Sequence, residues 1–242
     1  MWSWPMPDQK VPIYGQHAVP EGFDLLEHAK GHSRDAAEKL TEPNEDIMPV
    51  LMWIGPYGLG VMPLLDMSSD EAKDRLSHVM TTVLAISRAT EAVQVTTSWA
   101  VLAKMPDDGT FDRDNPLDGV KPSQHRDRTE VVCLMHMTPD GQPDAMVHGK
   151  ITRDDGKPPA LGEWNDFGGE DAIERVGGRF GDAVHMGMDL VVGMPPQLVQ
   201  IIDEGWELGK QEELIQRFHN VFAQFTEVMD NIERMGLPDG VS

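Results

Sequence analysis

Ile47-Met48-Pro49-Val50-Leu51-Met52-Trp53-Ile54-Gly55-Pro56-Tyr57-Gly58-Leu59-Gly60-Val61-Met62-Pro63-Leu64-Leu65 reads as two apolar strands around a Gly-Pro-Tyr-Gly turn. Val50, Met52 and Ile54 alternate with Leu51 and Trp53, so both faces of this hairpin are greasy. An antiparallel pair exposed on one side would carry polar residues at every second position, so the pattern requires cover on two sides. Pro49 and Pro63 cannot donate to a ladder and point to a sheet edge nearby.

Outward from the hairpin, helical and strand periods alternate. Phe23, Leu25, Leu26, Ala29 and Ala36 predict a modest helix over about 22–40, weakened by Gly31. Ser68 followed by Glu71 has the spacing of a capping box, and Ala72, Leu76, Val79, Met80, Val83 and Leu84 supply one apolar face of a helix running to about 89. Val93, Val95, Thr97, Trp99, Val101 and Ala103 alternate with polar residues as a half-buried strand. Residues 105–128 are polar and aperiodic, a length of loop that is usually functional or disordered. The chain returns as a strand from Glu130 to Met137, turns at Thr138-Pro139-Asp140-Gly141, and pairs with a strand near 145–152. Residues 153–194, rich in glycine and acids, show only short apolar pieces such as Ala183 to Val192.

At the C-terminus Leu214, Phe218, Val221, Phe225, Val228, Ile232 and Met235 step in strides of four and three. Ile215, Phe222 and Met229 widen that stripe beyond a coiled-coil seam, so a long amphipathic helix is expected to lie on something broad, the core or another copy. Phe218, Phe222, Phe225, Met229 and Ile232 are its candidate interface residues. The expected class is α+β, an antiparallel sheet packed by helices with this long C-terminal helix. Three regions follow: an extended arm over 1–20, a core domain over 21–194 and a C-terminal helical region over 195–242.

Composition narrows function. The 242 residues hold 41 Asp and Glu against 20 Lys and Arg, a net charge of -21 with no basic segment. Nucleic acid and anionic membranes are held by patches of cations that displace counterions, so neither is an expected partner. Cys133 is the only cysteine, which excludes an intramolecular disulfide and a cysteine zinc cluster. No run of 18 apolar residues and no secretion-signal pattern is seen, so the expected location is the cytoplasm, or a virion.

Each chemical motif stops short of a complete set. Ser123, His125 and Asp127 have the types of a nucleophilic triad, but extended neighbours on one face stand roughly 6.6 Å apart where a triad needs about 3 Å. His136 and His148 come close to opposite each other if the hairpin turns near Gly141 and Gln142, and two imidazoles begin a metal site without a third ligand. His28 and His32 lie one helical turn apart without the glutamate of a zincin motif. The acids from Asp107 to Asp114 lack an EF-hand's glycine and glutamate, and Gly177-Gly178-Arg179-Phe180-Gly181 lacks phosphate-loop spacing. No cofactor is expected. The sixteen methionines fill irregular cores or adaptable interfaces.

The run from Thr97-Ser98-Trp99 through Pro122-Ser123-Gln124-His125-Arg126-Asp127-Arg128-Thr129-Glu130 resembles a block found in uncharacterised bacterial and phage-borne proteins. In these a Ser-x-x-Trp strand precedes a Pro-Ser-x-His-x-Asp-Arg-x-Glu element that opens the next strand. The resemblance covers about 40 residues of the chain, and the family carries no assigned activity. It implies that Trp99, His125, Arg128 and Glu130 form a structural or binding unit, and it suggests a mobile-element origin. The sequence therefore points to a non-catalytic acidic accessory or assembly protein that contacts protein, itself first. A metal-assisted hydrolase using His125, His136, His148 and acids of the 105–128 loop stands as one alternative, and an acidic DNA mimic as another.

Overall fold

The computed structural model describes residues 14–65, 69–100, 121–139, 143–166, 179–207, 209–211 and 213–218. Seven strands form one sheet: β1 (Tyr14–His17), β2 (Val50–Gly55), β3 (Gly58–Pro63), β4 (Glu91–Ala100), β5 (Thr129–Met137), β6 (Pro143–Thr152) and β7 (Ala160–Asp166). Their order is β1-β3-β2-β4-β5-β6-β7, and every neighbouring pair is antiparallel. Helices α1 (Leu25–Glu38), α2 (Asp70–Ile86), α3 (Arg179–Val192) and α4 (Pro196–Glu207) complete the elements, and residues 213–218 are also helical. The α+β class and the antiparallel sheet are as the sequence predicts, and the long helix beyond residue 218 lies outside the described residues.

Alternation along each strand sorts side chains onto two faces. One face carries Val50, Met52, Val93, Val95, Leu134 and Val147 beneath Leu25, Ala29 and Ala37 of α1. The other carries Leu51, Trp53, Ala92, Met135 and Met137 beneath α2, α3 and α4, with Leu214 and Ile215 in the same cluster. The doubly apolar hairpin is thus enclosed between two helical layers, with Leu51, Met52 and Trp53 at 0% exposure.

Local chemistry fixes the helix ends. Asp24 caps α1 by accepting the Glu27 N–H at 2.9 Å. Buried positions at 25, 29, 33 and 37 form a narrow i+4 stripe of small residues after Leu25, which lets the helix approach the sheet closely. Gly31 sits on the opposite, open side, so α1 runs through it. The cap of α2 is Ser69, whose hydroxyl accepts the Ala72 N–H at 3.1 Å, one residue later than the Ser68–Glu71 box expected. Asp70 and Glu71 still lie in the first turn, where the helix dipole favours them.

Helix α2 ends in a Schellman motif, with Ala89 N–H on Leu84 carbonyl at 3.0 Å and Arg88 N–H on Ala85 carbonyl at 3.2 Å. The residue in the left-handed position is Arg88, at φ 49, where glycine is usual. Its guanidinium reaches Asp203 of α4 at 2.9 Å, and Asp203 also accepts the Tyr57 hydroxyl. Tyr57 stacks on Trp206 at 4.5 Å, and the Trp206 indole donates to the Ile86 carbonyl at 3.0 Å. Hairpin, α2 and α4 are tied together at this corner.

Candidate functional site

The residues singled out by the 97–130 block gather at the end where β4 and β5 meet. Trp99 and Glu130 are direct cross-strand partners, and the chain enters β5 through a short 3-10 turn at Pro122–Gln124 followed by a bend at 126–127. That bend folds Arg128 back on the turn. Its guanidinium donates to the Ser123 carbonyl at 3.0 Å and lies over the Trp99 ring at 4.9 Å. The Trp99 indole remains 43% exposed. A cation over an indole face gains about 0.5–1 kcal/mol at such an exposed position.

Glu130 faces away from Arg128 chemically, because Arg153 of the segment after β6 takes both of its oxygens, at 2.7 and 2.8 Å. The same guanidinium donates to the carbonyls of Pro43 and Glu45, at 2.9 and 3.0 Å, and pairs with Asp46. Those two carboxylates hold the Arg153 charge on far above the ordinary arginine range, although burial opposes them. Arg153 therefore pins the α1–β2 connection to the sheet, and Glu130 belongs to that clasp.

His125 stands apart from a triad. Its Nδ1 accepts the Asp127 main-chain N–H at 3.1 Å, while the Asp127 carboxylate is 4.0 Å from the same nitrogen and 3.3 Å from Arg126. A ring nitrogen that accepts carries no proton, so the neutral ring keeps its proton on Nε2. The Ser123 main chain serves Arg128, and the set makes a turn rather than a charge relay.

The paired-histidine metal expectation is corrected by the register. His136 lies opposite Ala145 and His148 opposite Cys133, which puts the two imidazoles on opposite faces of the sheet. His136 bonds Glu91 at 2.8 Å. His148 is 8% exposed, and burial lowers its pKa first, against an opposing bond from Asn165. A metal-assisted mechanism built on that pair loses its two central ligands, and no group of three or more His, Cys, Asp or Glu suited to a metal occurs among the described residues.

Two groupings carried no sequence signal. Cys133 lies 3.4 Å from the Ser98 hydroxyl, and burial pushes its thiol pKa up. Tyr57, Arg88 and Asp203 meet across 146 residues of chain; burial and the bond to Asp203 push the phenol up to about 12, and that bond with Arg88 holds the Asp203 carboxyl down.

Of the expected interface, Phe218 is half-buried against the helical-side core, whereas Phe222, Phe225, Met229 and Ile232 lie outside the described residues, as does the 105–120 part of the long loop. On the helical layer Met186, Leu190, Val192 and Ile201 are 46%, 40%, 71% and 54% exposed. No described helix is long and apolar enough to cross a membrane. No family model, curated protein or solved structure matches this chain.

Proposed function

We propose that the protein is a non-catalytic acidic accessory or assembly protein, phage-associated, that acts through protein contacts and first of all through a second copy of itself. One observation carries the reading. Helix α3 buries Ala183, Val184 and Met188 in the core while Met186 and Leu190, one turn apart, stay open to water, and Val192 and Ile201 add to the apolar surface of the same layer. Exposed apolar groups that recur along one helix mark contact surfaces more often than scattered ones do.

The C-terminal stripe supports the same reading. Its first members, Leu214 and Ile215, are 7% and 8% exposed within the core cluster, which anchors the segment to the helical layer. In this proposal the stripe continues as one amphipathic helix to Met235, and the side chains from Phe222 onward meet their counterparts on the second copy. With a net charge of -21 the copies repel, so association strengthens as salt screens the charge.

Light scattering during gel filtration, run over a wide range of protein and salt concentrations, tests this. A dimer that dissociates on dilution, strengthens with salt and is lost in a Met186→Glu/Leu190→Glu variant or on deletion of residues 219–242 is the expected result. A monomer under every condition refutes it.

A further inference from the structure

Arg128 is held unlike the other arginines whose pairs the structure shows. Arg34, Arg88, Arg126, Arg153 and Arg217 each meet a carboxylate, in a chain where acids outnumber cations 41 to 20. Arg128 meets none. Its contacts are one carbonyl, that of Ser123, and one indole face, that of Trp99. The carboxylate directly across from Trp99, that of Glu130, is occupied by Arg153 through both oxygens.

A guanidinium fixed at one N–H and lying over an indole keeps its other N–H groups in a set plane, the arrangement that binds an oxyanion through two parallel hydrogen bonds. Three residues earlier, where the His125 carbonyl accepts the Arg128 N–H at 3.3 Å, the Asp127 N–H on His125 Nδ1 leaves the neutral ring's proton on Nε2, which makes the imidazole a second donor in the same turn. The half-exposed Trp99 indole adds apolar surface next to the fork.

We propose that Arg128, backed by Trp99 and assisted by His125, forms a binding site for an organic carboxylate, the carboxyl group seated on the guanidinium fork and the apolar body against the indole. The overall negative charge favours a singly charged ligand over a phosphate dianion, whose repulsion is larger.

Proton–nitrogen NMR titration of the full chain with benzoate, acetate and inorganic phosphate tests the site, reading the Trp99 indole N–H, which is assigned by its loss in Trp99→Phe. Saturable shifts with benzoate at concentrations about three- to tenfold below those needed for acetate are expected, with phosphate weakest. Arg128→Ala removes the saturation, and Arg128→Lys, which keeps the charge without the fork, weakens it severalfold. His125→Ala gives a smaller loss. Absence of saturation, binding that survives Arg128→Ala in a chain with an otherwise unchanged spectrum, equal benzoate and acetate affinity, or preference for phosphate would each overturn the proposal.

Discussion

Replacing Gly60 with alanine should destabilise the protein out of proportion to one methyl group. Gly60 of β3 lies directly across from Trp53 of β2, and the indole, at 0% exposure, occupies the space where a Cβ would stand. A methyl group there would sit 2.8 Å from the indole Nε1 and closer still to Cζ2 and Cε2. The indole cannot withdraw, because Met62, Leu84 and Ile86 in the same cluster are 1%, 0% and 0% exposed. Overpacking a dense core costs about 1–3 kcal/mol, and the rigid ring places this site in the upper half of that range. For a chain of this length about 2–3 kcal/mol corresponds to a fall in Tm of roughly 4–12 °C.

Thermal and urea unfolding, with near-ultraviolet circular dichroism for the indole, measure the effect. The decisive comparison is a double-mutant cycle with Trp53→Leu. Once the ring is gone, Gly60→Ala should cost almost nothing, because the methyl group then has room and alanine restricts the unfolded chain more than glycine does. A Tm within about 1 °C of the parent, or an equal cost in both backgrounds, would show that the glycine is present for some reason other than the ring above it.

Gly31→Ala should act in the opposite direction, raising stability by about 0.5–1 kcal/mol, since its Cβ would point into open space from the interior of α1; an unchanged or lower urea midpoint contradicts this. Arg153→Lys keeps the charge but loses the fork shared by Glu130, Asp46 and two carbonyls, and should cost about 1–2 kcal/mol after allowance for its partial exposure; hydrogen exchange should quicken at residues 45–47, and unchanged protection there refutes the clasp. Tyr57 should titrate near pH 12 in a Tyr14→Phe background, followed by ultraviolet difference absorbance. Its folded pKa is raised, so its contribution to stability is complete below the unfolded value of about 10 and is lost as pH rises toward 12. Asp203→Asn removes one of the two main causes and leaves burial, so the midpoint should fall without reaching 10; a native midpoint at 10 refutes the burial.

The strands that were legible are those with two apolar faces or strict alternation, because burial on both sides leaves its mark on every residue of β2 and on the inward positions of β4 and β5. Strand β7 escaped for the converse reason. It is an edge strand that rests only Leu161 and Trp164 on the core beneath α1, so Ala160–Asp166 reads as polar chain. Helix α3 was hidden by its glycines. Gly187 looks like a breaker in sequence, yet its missing Cβ is what lets α3 lie against Thr81 and Leu84 of α2. The histidine pair failed on register alone: the expected pairing differs from the observed one by an odd number of residues, and an odd shift exchanges the two faces of a strand. At the candidate site Arg128 lies over Trp99 and Glu130 pairs across from Trp99, but the roles were not readable, because the Arg153 clasp that claims Glu130 joins positions 23 and 107 residues apart.

The contact between Leu214 and Gly205 decides which substitutions in the C-terminal stripe can speak about association. A Cβ at Gly205 would collide with the Leu214 side chain, so the first member of the stripe is seated in a notch on α4 that only glycine leaves open. Leu214 and Ile215 are therefore core residues of one chain, and truncating either should lower stability by about 2–5 kcal/mol whether or not the protein associates. Phe218 is half-buried on the same cluster and is mixed in character. Only positions further along the stripe separate the two roles. Phe225→Glu should abolish dimer formation while leaving the monomer's urea midpoint nearly unchanged, whereas an equal loss of stability at high dilution would place that ring on its own chain's core and remove the second copy from the argument.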